Sequence, residues 1–346
     1  RRAAGPRPRF FTQMSDLSGP SASWNATRRP SGESAIWFMA ARQVVSILVI
    51  APSRDTQASS PRSLPEAPLR DVMAGASRWT IPIHEHGFIA LVDAMPRLVP
   101  EGQTADSAIV QSARVSYGQG TKMVSEDRGL VRYLMRHRHS TPFEMVEFKF
   151  HIAMPIFIAR QWIRHRTANV NEYSARYSIM PDRFYRPDIE NVRKQSKTNR
   201  QGGEGPIDAG TADEFLKLLE SAEANYQKYL DLTERGVARE LARAVLPVSV
   251  YTEWYWKCDL HNIFHFLSLR MDPHAQWEIQ VFAKAMYELL KPIVPVSAEA
   301  FEDYRLESMH LTRLEIEAVR SGKPLATDNK REQAEWEAKR ERLGLK

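Results

Sequence analysis

The sequence predicts an α+β domain. Three observations carry the prediction: several stretches with apolar residues at helical spacing, two short stretches of strand-like alternation, and no G-x-G-x-x-G fingerprint of a dinucleotide-binding Rossmann fold. With 346 residues, 43% of them hydrophobic and 26% charged, the chain can bury a sizeable core. Its longest apolar run, Ala35 to Ala51, is interrupted by Arg42 and Gln43 and is too short to span a bilayer. One cysteine, Cys258, excludes an intramolecular disulfide framework, and no Cys/His cluster has structural-zinc spacing. A reducing, cytoplasmic setting without a membrane partner is expected.

The globular pattern begins near Ile81. Phe88, Ala90 and Val92 alternate with Ile89, Leu91 and Asp93 as in a short strand. Ser107 to Ser116 and Arg128 to Arg136 read as helices, and Glu147 to Ile152 as a half-buried strand. Pro155 suits the first turn of a helix carrying Phe157, Ile158, Trp162 and Ile163. Lys194 to Gly210 reads as a polar, glycine-rich loop. Thr211 and Glu214 form a capping-box signal that opens a helix with Phe215, Leu219, Ala222, Tyr226 and Tyr229 on one face, ending near Gly236. A short helix around Ala238 to Val245 stops at Pro247, and Asp259 to Leu269 and Gln276 to Leu290 give two more. Residues 311–346 form a charged tail, expected as a solvated helix with Glu335/Lys339 and Glu337/Arg340 pairs.

Charge is unevenly placed. Residues 1–72 hold ten Arg, no Lys and five acids, so they carry +5 of the net +6, and the remaining 274 residues carry +1. With eight Pro and eleven Ser, this segment reads as a disordered or mis-assigned upstream extension, and its composition also suits a transit peptide. The domain is therefore placed at residues 73–310. A nucleic-acid-binding protein is the rival that the Arg-rich extension suggests, but a body of net charge +1 gives it little support.

Four segments could carry chemistry. In Gln161 to Tyr177, Arg164-His165-Arg166 follows an apolar helix, and Ser174 and Arg176 lie just beyond; cations and a hydroxyl around a turn suit a phosphorylated ligand, although a basic helix end is the plain alternative. His137 to Glu144 reads as a capped turn with partly exposed histidines. In Cys258 to Glu278, His261, His265 and Ser268 share a helix face, but Asn262 stands where a metalloprotease helix needs Glu, so no metal is expected. Arg243 sits in apolar surroundings, as an ion-pair partner of Glu240 or Asp231 or as a ligand arginine.

Together these segments resemble the flavin-dependent thymidylate synthases. Arg164-His165-Arg166, seven residues, then Ser174 is similar to the family signature. HRHSTPFE, PIFIARQWIRHRTANVNEYSARYS, ARAVLPVSVYTEWYW and LHNIFHFLSLRMDPHAQWEIQ resemble family blocks in family order, from about Ile81 to Val294. The resemblance implies an α+β fold with an antiparallel-rich sheet and long helices, assembled as a homotetramer with shared sites. It implies synthesis of dTMP from dUMP, with 5,10-methylenetetrahydrofolate as carbon donor and NADPH as reductant through FAD. It assigns FAD to His139, Thr141, Arg164, His165, Arg166, Glu172 and His265, and to the stretch Asp259, Leu260 and His261. It assigns dUMP to Gln161, Trp162, Ile163, Arg164, Glu172, Tyr173, Ser174, Ala175, Arg176, Arg243 and Arg270, with Arg270 catalytic at the uracil N3/O2 edge. The classical flavin-free synthase attacks the base with a cysteine, and its Pro-Cys-His neighbourhood is absent around Cys258. A flavoprotein reductase of another substrate is the remaining alternative.

Overall fold

The computed structural model describes residues 79–97, 101–116, 127–197 and 202–345. The expected extension over 1–72, with its apolar run, lies outside them. Among the described residues, no helix is long and apolar enough to cross a membrane.

Five strands build one antiparallel sheet. They are β1 (Thr80–Ile83), β2 (Gly87–Met95), β3 (Glu147–Pro155), β4 (Asn169–Glu172) and a later strand, Tyr251–Asp259, in the order β1-β2-β3-(Tyr251–Asp259)-β4. A register shift at Val92 ends the clean alternation of β2, so Val92 is exposed and Asp93 pairs opposite Lys149. β3 is longer and more deeply buried than alternation predicts, because neighbours pair with it on both sides. Phe148, Phe150 and Ile152 face the main core opposite Cys258, Trp256 and Trp254, whereas Lys149, His151 and Ala153 lie on the other face opposite Lys257, Tyr255 and Glu253. There His151 stacks on Tyr255 with centroids 4.7 Å apart and meets Glu253 at 3.1 Å.

Helices cover the first face. They are α1 (Asp106–Val115), α2 (Asp127–Arg136), the single turn α3 (Thr141–Glu144) and α4 (Ile156–Trp162). Pro155 closes β3 and precedes α4 rather than opening the helix, since its fixed φ also suits a strand end. The supposed loop after Lys194 contains a small hairpin, β5 (Arg193–Gln195) with β6 (Gly203–Pro206). The helix expected from Thr211 starts earlier and breaks once, giving α5 (Ala209–Glu223) and α6 (Asn225–Glu234). Its cap is Asp208, whose carboxylate accepts from the Thr211 backbone N–H, so the Thr211/Glu214 signal is one turn late. Tyr226 and Tyr229 are buried in a second small core with Met180, Phe184 and Val250, but Phe215 is exposed.

After α7 (Arg239–Ala242) and a 3-10 turn at Arg243–Val245, the chain enters β7 (Tyr251–Asp259), the strand between β3 and β4. Cys258 therefore sits inside a strand. The helix α8 (Leu260–Arg270) begins one residue beyond Asp259, which caps it by accepting from the Asn262 N–H. Next come α9 (Trp277–Leu290), α10 (Pro295–Phe301) and a π-helical turn, Glu302–Leu306.

The tail is two helices, α11 (Arg313–Ser321) and α12 (Lys330–Leu343). The expectation of a solvated helix is corrected here. Trp336 is only 5% exposed and Glu315 4%, and Lys339 reaches Glu315 at 2.8 Å instead of Glu335. The Glu337/Arg340 pair forms at 3.1 Å. A buried carboxylate attracts the lysine more strongly than an exposed one, because water screens the latter.

Candidate functional site

The end of α4 positions the first group. Trp162 is fully buried and stacks on Phe266 with centroids 4.4 Å apart, which fixes the point where the helix stops. The His165 N–H donates to the Trp162 carbonyl, forming a turn from which Arg164 and Arg166 point outward and His165 inward. His165 Nε2 accepts from Arg270 Nε at 3.1 Å. Burial, then the charge of Arg270, then His265 push the His165 pKa down to about 4. At neutral pH the imidazole is uncharged, so it is an acceptor that orients the guanidinium at the end of α8. Burial in turn holds the Arg270 pKa below its usual value.

Beyond His265, whose ring is 6.0 Å from that of His165, a cleft of about 570 Å³ including its mouth opens to solvent. His139, Ser140, His261, His265 and Ser268 supply its polar wall, and Phe143, Phe264 and Phe301 its floor. The helical face shared by His261, His265 and Ser268 thus meets the turn after α2. Imidazoles and hydroxyls over an aromatic floor form a donor set that fits a flat, hydrogen-bonding ring system such as the expected flavin. Thr141 is exposed at the start of α3, next to Ser140. Within Asp259, Leu260 and His261, only His261 lines the cleft: Asp259 is the helix cap and Leu260 is fully buried.

The third group lies on β4 and the turn after it. Glu172 accepts from the Thr252 hydroxyl at 2.8 Å, and Tyr173 donates its hydroxyl to the Ile179 carbonyl. The Ser174 carbonyl accepts from the Tyr177 and Ser178 N–H groups, and Ala175 packs in the second core. Arg176 meets the Glu240 carboxylate at 3.3 Å, and Arg243 Nε donates to the Glu240 carbonyl at 3.2 Å. Of the two acids expected beside Arg243, the structure therefore brings Glu240, through its backbone. Gln161 Oε1 is buried without a hydrogen-bond donor, as an acceptor awaiting a ligand would be. Trp162 is fully buried in the core with its Nε1–H also lacking an acceptor among the described residues, and Ile163 is exposed at the helix end.

One chain brings these residues into two constellations. His139, His261 and His265 share the cleft, with His165 and Arg270 behind them. Ser174, Arg176 and Arg243 gather on the second core, and none of Arg164, Arg166, Arg176 or Arg243 lines the cleft. The sequence reading missed the two arginines that line the cleft, Arg138 and Arg305. Arg138 stood in plain view between two histidines, whereas Arg305 carries no local signal. Among the described residues, no group of three or more His, Cys, Asp or Glu could hold a metal ion.

Cys258 is a buried thiol facing the main core, with Sγ 3.4 Å from the Thr167 carbonyl. Burial pushes its pKa up to about 12. A thiol so placed supplies no thiolate at neutral pH.

Comparison with known proteins gives a consistent result. The family model for thymidylate synthase complementing protein matches residues 97–296. A flavin-dependent thymidylate synthase of Dictyostelium discoideum is 64% identical over 279 residues, covering 81% of this chain and 92% of that relative. One from Thermus thermophilus is 54% identical over 242 residues, covering 70% and 85% respectively. A crystal structure of the UMP/dUMP methylase PolB from Streptomyces cacaoi, bound with 5-Br dUMP, superposes with a TM-score of 0.56 at 34% identity, covering 66% of this chain and all of that one.

Proposed function

The chain belongs to the flavin-dependent thymidylate synthase family, and from that premise we propose that it makes dTMP from dUMP by reductive methylation, with FAD, NADPH and 5,10-methylenetetrahydrofolate. The atoms balance: uracil C5 bonds the folate's methylene carbon and gives up its own proton to solvent, NADPH supplies the hydride equivalent that reduces this carbon to methyl, solvent supplies the protons that complete tetrahydrofolate, and tetrahydrofolate, NADP⁺ and dTMP leave. FAD, when bound, supplies the two-electron relay between NADPH and the carbon unit.

The observation that carries this reading is the Arg270–His165 pair. With Nε engaged by a neutral imidazole, the remaining guanidinium N–H groups are free to meet the uracil N3/O2 edge and stabilise negative charge developing on the ring. Such a preorganised donor is worth roughly 3–4 kcal/mol of barrier. A protonated His165 would repel Arg270 and offer it no lone pair, so the depressed pKa is part of the arrangement.

The dUMP phosphate falls to Arg176, Ser174 and Arg243. The exposed Arg176–Glu240 pair is weakly held, so a phosphate dianion displaces the carboxylate at little cost. Gln161, Glu172, Tyr173 and the backbone around Ile163 complete the nucleotide site, with Arg164 between nucleotide and flavin. His139, Thr141, Arg164, His165, Arg166, Glu172, His261 and His265 hold the flavin. The separation of the cation turn from the cleft within one chain supports sites that combine residues of several subunits, as in the homotetramer that the family resemblance implies; a cytoplasmic setting belongs to the same proposal.

The test is anaerobic. NADPH should bleach the bound flavin, and adding dUMP with methylenetetrahydrofolate should restore its colour with one dTMP formed per flavin reoxidised. Reoxidation without dTMP would assign the protein to another flavin reductase activity.

A further inference from the structure

Two arginines at the mouth of the cleft have no role in the chemistry above. Arg138 ends the turn after α2 in the left-handed region, with φ 61°, an uncommon conformation for a non-glycine residue. Arg305 lies on the π-helical turn Glu302–Leu306, a rare backbone form that frequently marks functional sites. From these two irregular positions, 167 residues apart in sequence, both side chains line one cleft.

Neither guanidinium has a carboxylate within ion-pair distance among the described residues, although acids are close at hand in sequence. Glu299 binds Arg128 and Arg132, and Asp303 binds Arg132. Glu302 pairs with Lys291 at 3.0 Å, and Glu307 with Arg342 at 3.4 Å. Each acid of the segment that carries Arg305 is committed to another cation. Partial burial, with the Arg138 charge added to it, holds the Arg305 pKa below its usual value, as expected for two like charges near one another. An arrangement that costs free energy in the empty protein is repaid when an anion arrives.

We infer that Arg138 and Arg305 form a dianion subsite at the cleft mouth, which takes the phosphate or the paired carboxylates on the tail of a co-substrate whose ring enters the cleft. Two uncompensated positive charges match two negative ones. A 2′-phosphate of a nicotinamide dinucleotide and the glutamyl carboxylates of a folate share that chemistry. The inference rests on reading the cleft as part of the flavin site.

The test uses the full, FAD-loaded protein at low ionic strength, titrated calorimetrically with adenosine 2′-phosphate and, separately, with p-aminobenzoyl-L-glutamate. Variants are Arg138→Gly, which the left-handed backbone accepts, and Arg305→Gln, with Arg136→Gln as the control. Arg136 is exposed, stands over the Tyr304 ring at 5.8 Å and does not line the cleft. At least one probe should bind the unaltered protein, and its affinity should fall about tenfold or more in each cleft variant and stay unchanged in the control. The probe that binds names the source of the anion.

The inference is overturned if neither probe binds, or if the cleft variants bind as the unaltered protein does. It is overturned too if they lose flavin instead, which would give the pair to the cofactor's own pyrophosphate. Should Arg305→Gln not fold, the exposed Arg138 decides alone. Failure of the unaltered protein to bind dUMP, with a probe still bound, would strike the proposed reaction and leave the subsite standing.

Discussion

Arg270 offers the sharpest single perturbation. Arg270→Gln removes both the charge aimed at the uracil edge and the Nε donor that holds His165 at 3.1 Å. Loss of one preorganised charge-stabilising donor costs roughly 3–4 kcal/mol of barrier, a fall of about 10²–10³ in kcat. Arg270→Lys keeps the charge but not the fork, and its kcat should remain down by about tenfold or more. The same change is read at His165. Burial is the largest cause of its low pKa and Arg270 the second, so in Arg270→Gln the pKa should rise from about 4 yet stay below 6.5. A histidine-ring NMR titration from pH 3 to 8, run beside kcat and KM for dUMP, reads both effects. A His165 that still titrates near 4 in the variant, or a kcat within about twofold of the parent, would refute the reasoning.

Other expectations follow from particular contacts. Because the folded protein takes up a proton on His165 only near pH 4 and the unfolded chain does so near 6.5, acid favours unfolding in that window. Stability should fall by about 1–2 kcal/mol between pH 7 and 4 after discounting for solvent access, and His165→Asn should flatten that slope in urea melts. Cys258→Ser should retain dTMP synthesis while losing about 1–2 kcal/mol of stability, since a hydroxyl replaces a buried thiol beside Phe148 and has only the Thr167 carbonyl to bond. Loss of turnover in a folded Cys258→Ser protein would restore a cysteine mechanism. Trp336→Ala should loosen the α11–α12 pair, since truncating a buried tryptophan typically costs about 3–5 kcal/mol. Faster hydrogen exchange across residues 313–343, with exchange in β3 unchanged, would show it.

Much of this was legible in sequence where one physical signal dominates. The stripe on α9 and the polar face of α8 placed those helices within a residue or so, and His261 and His265 do share the face that lines the cleft. β7 was invisible because Trp254 and Trp256 face the core while Tyr255 fills the other face, and aromatic residues on both faces erase a period-2 contrast. The break at Ala224 has no Gly or Pro to announce it. Glu315–Lys339, Arg270–His165 and the Arg138–Arg305 neighbourhood join residues 24, 105 and 167 positions apart, which no local pattern encodes. Trp162 shows the converse. Its position within a motif block implies a ligand contact, and the structure shows what the motif does not: the side chain is in the core, where a large aromatic at the end of an apolar helix is drawn.

The most direct measurement is tritium release from dUMP labelled at C5, with methylenetetrahydrofolate present and with FAD and NADPH omitted singly and together. The buried, un-ionised Cys258 and the Arg270–His165 pair predict release that needs both FAD and NADPH. Release that persists when both are absent would contradict a flavin-dependent synthesis and return the chemistry to the thiol.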